Sequence, residues 1–179
     1  DFVLVIVHGG TELYNLPTPR MKETYRFFID NGADAVVNHH QHCYSGYEVY
    51  QGKPIFYGLG NFCFDKPVAR QDKLWEEGYM LELQLTEETC FRLFPYRQCT
   101  EDLPTVELRT DMSEFNDSLQ HLNSIIANDN ALEEQFEMVA TRGKAIARQI
   151  LSPYSSTMMQ WLYSKRILPS FVTNKRMKH

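Results

Sequence analysis

Two short apolar runs with one amphipathic stretch between them constrain this chain more than any other feature. Val3 to Val7 is continuously aliphatic, and Ala33 to Val37 repeats the pattern. Runs without polar alternation predict strands buried on both faces of a sheet. Between them, Met21, Tyr25, Phe28 and Ile29 fall at i, i+4, i+7 and i+8, while Arg20, Lys22, Glu23, Arg26 and Asp30 face elsewhere. That spacing predicts a helix with one buried stripe. Pro17 and Pro19 suit its start, and Asn31-Gly32 supplies a left-handed closing pair. A strand-helix-strand unit requires parallel strands joined by a right-handed crossover. Both strands then end at the same sheet edge, which is where open α/β sheets bind ligands.

What leaves the strands at that edge is rich in imidazole. His8-Gly9-Gly10-Thr11-Glu12 follows the first run, and Asn38-His39-His40-Gln41-His42 follows the second. Three of the six histidines thus lie within four positions. In an extended backbone His40 and His42 would point to the same side, a geometry suited to one metal ion or two neighbouring ones. The plainer reading is a solvated polar loop, or a single core histidine satisfied by a carbonyl. With strands ~4.8 Å apart, His8 and the His40/His42 pair are expected within ~10 Å of each other.

Further along, Tyr47 to Tyr50 and Ile55 to Tyr57 flank Gln51-Gly52-Lys53-Pro54 and predict a hairpin. Gly58-Leu59-Gly60 places Asn61 at a sharp bend, and a polar loop with a lone Trp75 runs from Lys66 to Glu77. Met80 to Leu85 and Phe91 to Tyr96 alternate, with a turn over Thr86-Glu87-Glu88-Thr89, and predict an antiparallel pair at the edge of the sheet. From Asp111 the pattern is helical. Phe115, Leu119, Leu122, Ile125 and Ile126 form one stripe, and Leu132, Phe136, Val139, Ile146 and Ile150 another. Ser152-Pro153 breaks the chain before a third helix with Met158, Trp161 and Leu162, stopped at Pro169. These Met and aromatic positions read as core contacts, and His121 falls on a polar face. The expected organisation is an α/β domain over residues 1–110 and a helical extension over 111–179.

Composition narrows the function classes. A net charge of -5, with basic residues scattered except at the extreme C-terminus, argues against the basic stripe of a nucleic-acid binder. No apolar run reaches the ~20 residues of a membrane span, and the basic tail Lys175-Arg176-Met177-Lys178 reads as a solvated terminus. Cys43, Cys63, Cys90 and Cys99 lack CxxC spacing, which fits free thiols, with a Cys90–Cys99 disulfide left open. An apolar strand at the first residues, without Met or leader, reads like the interior of a domain and suggests the C-terminal part of a longer protein.

Three segments carry a resemblance: Val7-His8-Gly9-Gly10-Thr11-Glu12, Asn31 to His42 with Gly32-Ala33-Asp34 and His40-Gln41-His42, and Lys53-Pro54-Ile55-Phe56-Tyr57-Gly58-Leu59-Gly60-Asn61-Phe62-Cys63-Phe64-Asp65. They resemble the bacterial capsule synthesis protein CapA family, associated with poly-γ-glutamate production and similar to calcineurin-type metallophosphoesterases in fold. The family pattern runs roughly HWGxE, GAD-V-GxHPH and KPIxYSLGNFxFD. The match is specific over residues 1–66, weaker to about 97, and absent beyond Asp111. Gly9 stands where the family has tryptophan, Asn38 where it has glycine, and Gln41 where it has proline.

The resemblance implies part of a layered calcineurin-like fold. It also implies His8 and His40 on one divalent metal (Mn, Zn or Fe), with His42 on its neighbour. Glu12 is a candidate general base or ligand-orienting acid, and equally a surface carboxylate. Asn61, from the GNF element, is a candidate substrate contact or turn residue; His39, at a variable position, is a candidate substrate contact or plain loop residue. Two divalent ions need bridging carboxylates that three neutral histidines do not supply. Only Glu12 and Asp34 are near, so an upstream half of the same domain is the implied partner, with a polymer synthase as a further one. The leading expectation is a metal-dependent, phosphoesterase-like hydrolase of cell-surface polymer biosynthesis. Its rivals are a non-catalytic assembly subunit and a structural three-histidine Zn²⁺ site. Localisation stays open: unpatterned cysteines favour a reducing compartment, whereas the family favours the cell envelope.

Overall fold

The computed structural model describes residues 1–64, 73–84, 89–99 and 105–150. The expected turn over 86–88, most of the 66–77 loop, Asp65, the break at Ser152-Pro153, the third helix and the basic tail lie outside these residues. Two compact units are present, Asp1–Phe136 and Glu137–His179. In the second, the described part is the continuation of one helix to Ile150.

The first unit begins with the anticipated strand-helix-strand. Strand β1 (Leu4–His8), helix α1 (Pro19–Asp30) and strand β2 (Ala35–His39) follow in order, and β1 pairs β2 in parallel from Leu4↔Ala35 to His8↔His39. Thr18 caps α1, its hydroxyl accepting from the Met21 amide, with Pro19 at the first turn. Gly32 closes it at φ 101°, where a side chain would be strained. The hairpin is also present: β3 (Tyr47–Tyr50) and β4 (Lys53–Phe56) pair antiparallel, and β4 inserts beside β2 to give the order β1-β2-β4-β3.

Three readings of this region need correction. Strand β1 is not buried on both faces: it is an edge strand, with Leu4 41% and Ile6 69% exposed. Its apolar run therefore has one open face, Leu4 and Ile6, and one half-buried face, Val5 and Val7. Lys22 does not face solvent but is buried, because its ammonium reaches the Ile126 carbonyl and the Asp129 carboxylate 2.6 Å away. A cation at a helix C-terminus meets unpaired carbonyls, and a lysine stem can lie along apolar surface to get there. Asp34 is not inside a strand; it precedes β2 and is spent structurally, accepting from the Val3 amide at 2.8 Å and pairing with Lys53 at 3.0 Å.

The second half departs further. A helical turn, α2 (Lys73–Glu76), replaces the end of the expected loop and buries Trp75. Strands β5 (Glu77–Gln84) and β6 (Cys90–Gln98) are antiparallel as anticipated. They do not extend the first sheet. With β7 (Val106–Leu108), which sequence patterning missed, they form a separate sheet in the order β5-β6-β7. An alternating pair has one apolar face to bury, and layering achieves it: Phe91 of β6 sits edge-on against Phe56 of β4 and Tyr47 of β3. Helix α3 (Ser113–Ala127) buries Phe115, Leu119, Leu122 and Ile126, the expected stripe with Ile125 at its margin. Its Ser118 hydroxyl accepts from the Tyr44 phenol and its Asn123 side chain from the Tyr47 amide, so the helix is anchored to the first sheet. Helix α4 (Asp129–Ile150) follows after one residue, and His121 is exposed.

All four cysteines are free thiols. Cys90 starts β6 and Cys99 follows its end, so nine strand residues hold them roughly 30 Å apart, far beyond disulfide reach. Among the described residues no helix is long and apolar enough to cross a membrane.

Candidate metal and polar site at the strand ends

The parallel pairing of β1 and β2 delivers its histidines to one place. His8 is the last residue of β1, and its Nε2 lies 3.1 Å from Nδ1 of His40, the second residue in the cluster beyond Asn38. The ring centroids of these two are 4.8 Å apart, and His40 and His42 are 6.2 Å apart. The expected convergence of distant positions is thus realised.

The route to it differs from an extended His-x-His. Strand β2 stops at His39, and the backbone then turns through positive φ at His40 (114°) and again at His42 (59°). These values place both histidines where residues with a β-carbon are uncommon. The rings converge through two strained turns rather than by strand alternation.

Asn38 and Gln41 shape that turn. Asn38 is fully buried; its Oδ1 accepts from the Tyr25 phenol at 2.8 Å. Its Nδ2 donates to the Gly9 and Tyr57 carbonyls at 2.9 Å each and to Gln41 Oε1 at 3.1 Å. Gln41, also buried, donates through Nε2 to the Tyr14 and Leu16 carbonyls. Burial pushes the Tyr25 phenol up to about 12, which keeps it a donor. Two of the three residues that depart from the family pattern, Asn38 and Gln41, are therefore bonded to each other. Their amides tie together the turn after β1, the loop before α1 and the end of β4. A neighbour makes room: a β-carbon on Gly58 would meet Gln41 Oε1 at 2.5 Å.

His42 is held from three sides. Its Nδ1 is 2.8 Å from Asn61 Oδ1, its ring stacks on Trp75 at 4.9 Å and 25°, and Phe64 meets it edge-on at 5.2 Å. Asn61 is buried, its amide nitrogen donating to the main-chain carbonyls of His42 and Trp75 and its own carbonyl accepting from the Tyr96 phenol. Trp75, Phe64 and Tyr96 had no sequence signal linking them to the histidines, because the contact depends on the second sheet folding back over the loop.

The remaining candidates are more dispersed. His39 ends β2, solvent-exposed, with its imidazole held below the ordinary value by desolvation and secondarily by His8. Glu12 is exposed on the turn after β1. Among the described residues, no group of three or more His, Cys, Asp or Glu side chains is close enough to hold a metal ion. What the site does offer is a fitting pair. At Zn–N distances of about 2.0–2.1 Å, two nitrogens on one ion lie about 2.9 Å apart at a right angle and about 3.4 Å apart tetrahedrally. The His8–His40 separation of 3.1 Å falls between these values. It is equally the length of an N–H···N hydrogen bond, the form the pair takes without an ion.

Residues 1–66 match the family model of the bacterial capsule synthesis protein PGA_cap. Over 70 residues the chain is 44% identical to the capsule biosynthesis protein CapA of Bacillus anthracis, which is 39% of this chain and 17% of that protein. It is 47% identical over 70 residues to the PGA biosynthesis protein CapA of Bacillus subtilis, covering 39% of this chain and 18% of the relative. The matched stretch thus spans under a fifth of the length of these relatives. The family-model match over residues 1–66 contains His8, Glu12, His39, His40, His42 and Asn61.

Proposed function

We propose that this chain contributes the histidine half of a divalent-metal site in a hydrolase of capsule or poly-γ-glutamate biosynthesis, built on a calcineurin-like layered fold. The observation that carries it is the His8 Nε2–His40 Nδ1 separation of 3.1 Å at the carboxyl ends of two parallel strands. The names of the two CapA relatives support the biosynthetic setting. His8 and His40 would hold one ion, and His42 a neighbouring one. Mn²⁺, Zn²⁺ or Fe suits imidazole donors. The carboxylates that balance such charge would come from a further part of the full-length protein, and a polymer synthase is the proposed larger partner.

When bound, the ions would supply Lewis acidity and lower the pKa of a water ligand. The chain's own residues do the rest. His8 and His40 fix a two-nitrogen fork, Asn38 and Gln41 hold the loop that carries it, and Trp75 and Phe64 shield His42 from water. Glu12, on the turn after β1, would orient a ligand or move a proton. His39, exposed beside His8, would contact substrate.

Elemental analysis of the full-length protein tests this, paired with hydrolysis of a chromogenic phosphoester. Wild type should retain a divalent metal and turn over; His40→Ala should lower metal content and rate together, and Glu12→Gln should lower rate alone. Wild-type protein that stays metal-free after purification with excess Zn²⁺ and Mn²⁺ refutes the reading and leaves a non-catalytic assembly subunit.

A further inference from the structure

We infer that Asn61 is a positioning residue that fixes His42 in its Nδ1–H tautomer, so that Nε2 is the nitrogen offered to a ligand. The assignment follows from what each neighbour can do. Asn61 Nδ2 faces two main-chain carbonyls, His42 O at 3.1 Å and Trp75 O at 3.2 Å, and carbonyls only accept. The amide orientation is therefore set by its partners. The other end, Oδ1, can only accept, and it lies 2.8 Å from His42 Nδ1. The proton must then sit on Nδ1, and the neutral ring keeps its lone pair on Nε2.

The amide cannot easily turn away. The Asn61 carbonyl is held by the Tyr96 phenol at 2.9 Å, and the Trp75 carbonyl that receives Nδ2 also receives Gln98 Nε2 at 3.0 Å. Gly60 before it sits at φ 88°, pressed so closely on β5 that a β-carbon would lie 2.6 Å from the Glu77 carbonyl. The bend that presents Asn61 is fixed by the second sheet. Stacking on Trp75 at 25° blocks one ring face, leaving the Nε2 edge as the available donor. His40 uses the opposite nitrogen, Nδ1, towards His8. The histidines of the cluster thus present different ring atoms, which an unsupported loop would not enforce.

This also gives Asn61 a use other than substrate contact, since its side-chain oxygen and nitrogen are both engaged inside the fold. The consequence for metal affinity rests on the reading above; the tautomer does not.

The test is nitrogen-15 imidazole NMR on full-length, metal-stripped protein, at a pH above the ordinary imidazole range. His42→Gln identifies the signal. Wild type should show His42 with Nδ1 protonated and Nε2 bare, and Asn61→Leu should lose that pattern. A wild-type His42 protonated on Nε2 overturns the inference, whether or not the leucine variant folds, and so does an unchanged pattern in a folded Asn61→Leu. Calorimetric titration with Zn²⁺ alone is the second readout. Asn61→Leu should bind about 10–100-fold more weakly than wild type. If wild type shows the Nδ1–H tautomer yet binds no Zn²⁺ or Mn²⁺, the positioning role stands and the metal reading falls.

Discussion

Asn38→Ala is the substitution that probes the loop most directly. Two amide hydrogens on Nδ2 serve three acceptors, and Oδ1 receives the Tyr25 hydroxyl, so about three full hydrogen bonds are lost. At a net ~1 kcal/mol each, the expected loss is about 3 kcal/mol. Gln41→Ala removes two longer bonds, at 3.2 and 3.3 Å, and the shared one, for about 2 kcal/mol. The double variant should cost about 4 kcal/mol rather than 5, because each single change already strands the other amide. Urea unfolding at unchanged m-value reads all three. An Asn38→Ala loss below about 1 kcal/mol, or strict additivity, would show that water or rearrangement replaces the pair and that it does not hold the loop.

Other outcomes follow from the same structure. Gly60→Ala should destabilise by about 2–4 kcal/mol, combining left-handed strain with overlap on the Glu77 carbonyl; a melting temperature near wild type would sink the claim that this bend is enforced. Lys22→Met should cost about 1–2 kcal/mol by stripping the Ile126 carbonyl of its donor, while Asp129, largely exposed, simply hydrates; a gain in stability would contradict this. Asp34 is held below the usual carboxylate range by the Val3 amide and then Lys53, and Asp129 by Lys22. Because their folded values lie below the unfolded ones, the stability they contribute is present at neutral pH and fades as pH falls through the folded values. Thermal melts taken from neutral to acid should show a shallower decline for Asp34→Asn and Asp129→Asn than for wild type.

The first sheet was legible because its signals are local. Val3 to Val7, the Tyr25/Ile29 stripe and Ala35 to Val37 each encode one element, and the parallel crossover follows from connection chirality rather than from any distant contact. That sufficed to bring His8 to His40. It did not show that β1 would be an edge strand, because a continuous apolar run records that coverage is wanted and not which layer supplies it. Nor could it show the second sheet as a separate layer. Phe91 meeting Phe56 is a contact between residues 35 positions apart, and alternation reads the same in either arrangement. The role of Asn61 was hidden for a similar reason. Its partners are one imidazole nitrogen, one phenol and the main-chain carbonyls of His42 and Trp75, and only the folded turn lines them up. Lys22 was misplaced because charge was taken for exposure, when the end of α3 provides a buried acceptor.

The positive φ angles at His40 and His42 bear on how this protein can be engineered. Each β-carbon held in that region costs on the order of 1–3 kcal/mol, and glycine would relieve it. A laboratory selection for heat resistance alone would therefore be drawn to His40→Gly and His42→Gly, and would gain melting temperature by erasing the imidazoles. Any thermostabilisation campaign on this scaffold should freeze those two positions and look for its gains elsewhere, such as the open face of Leu4 and Ile6.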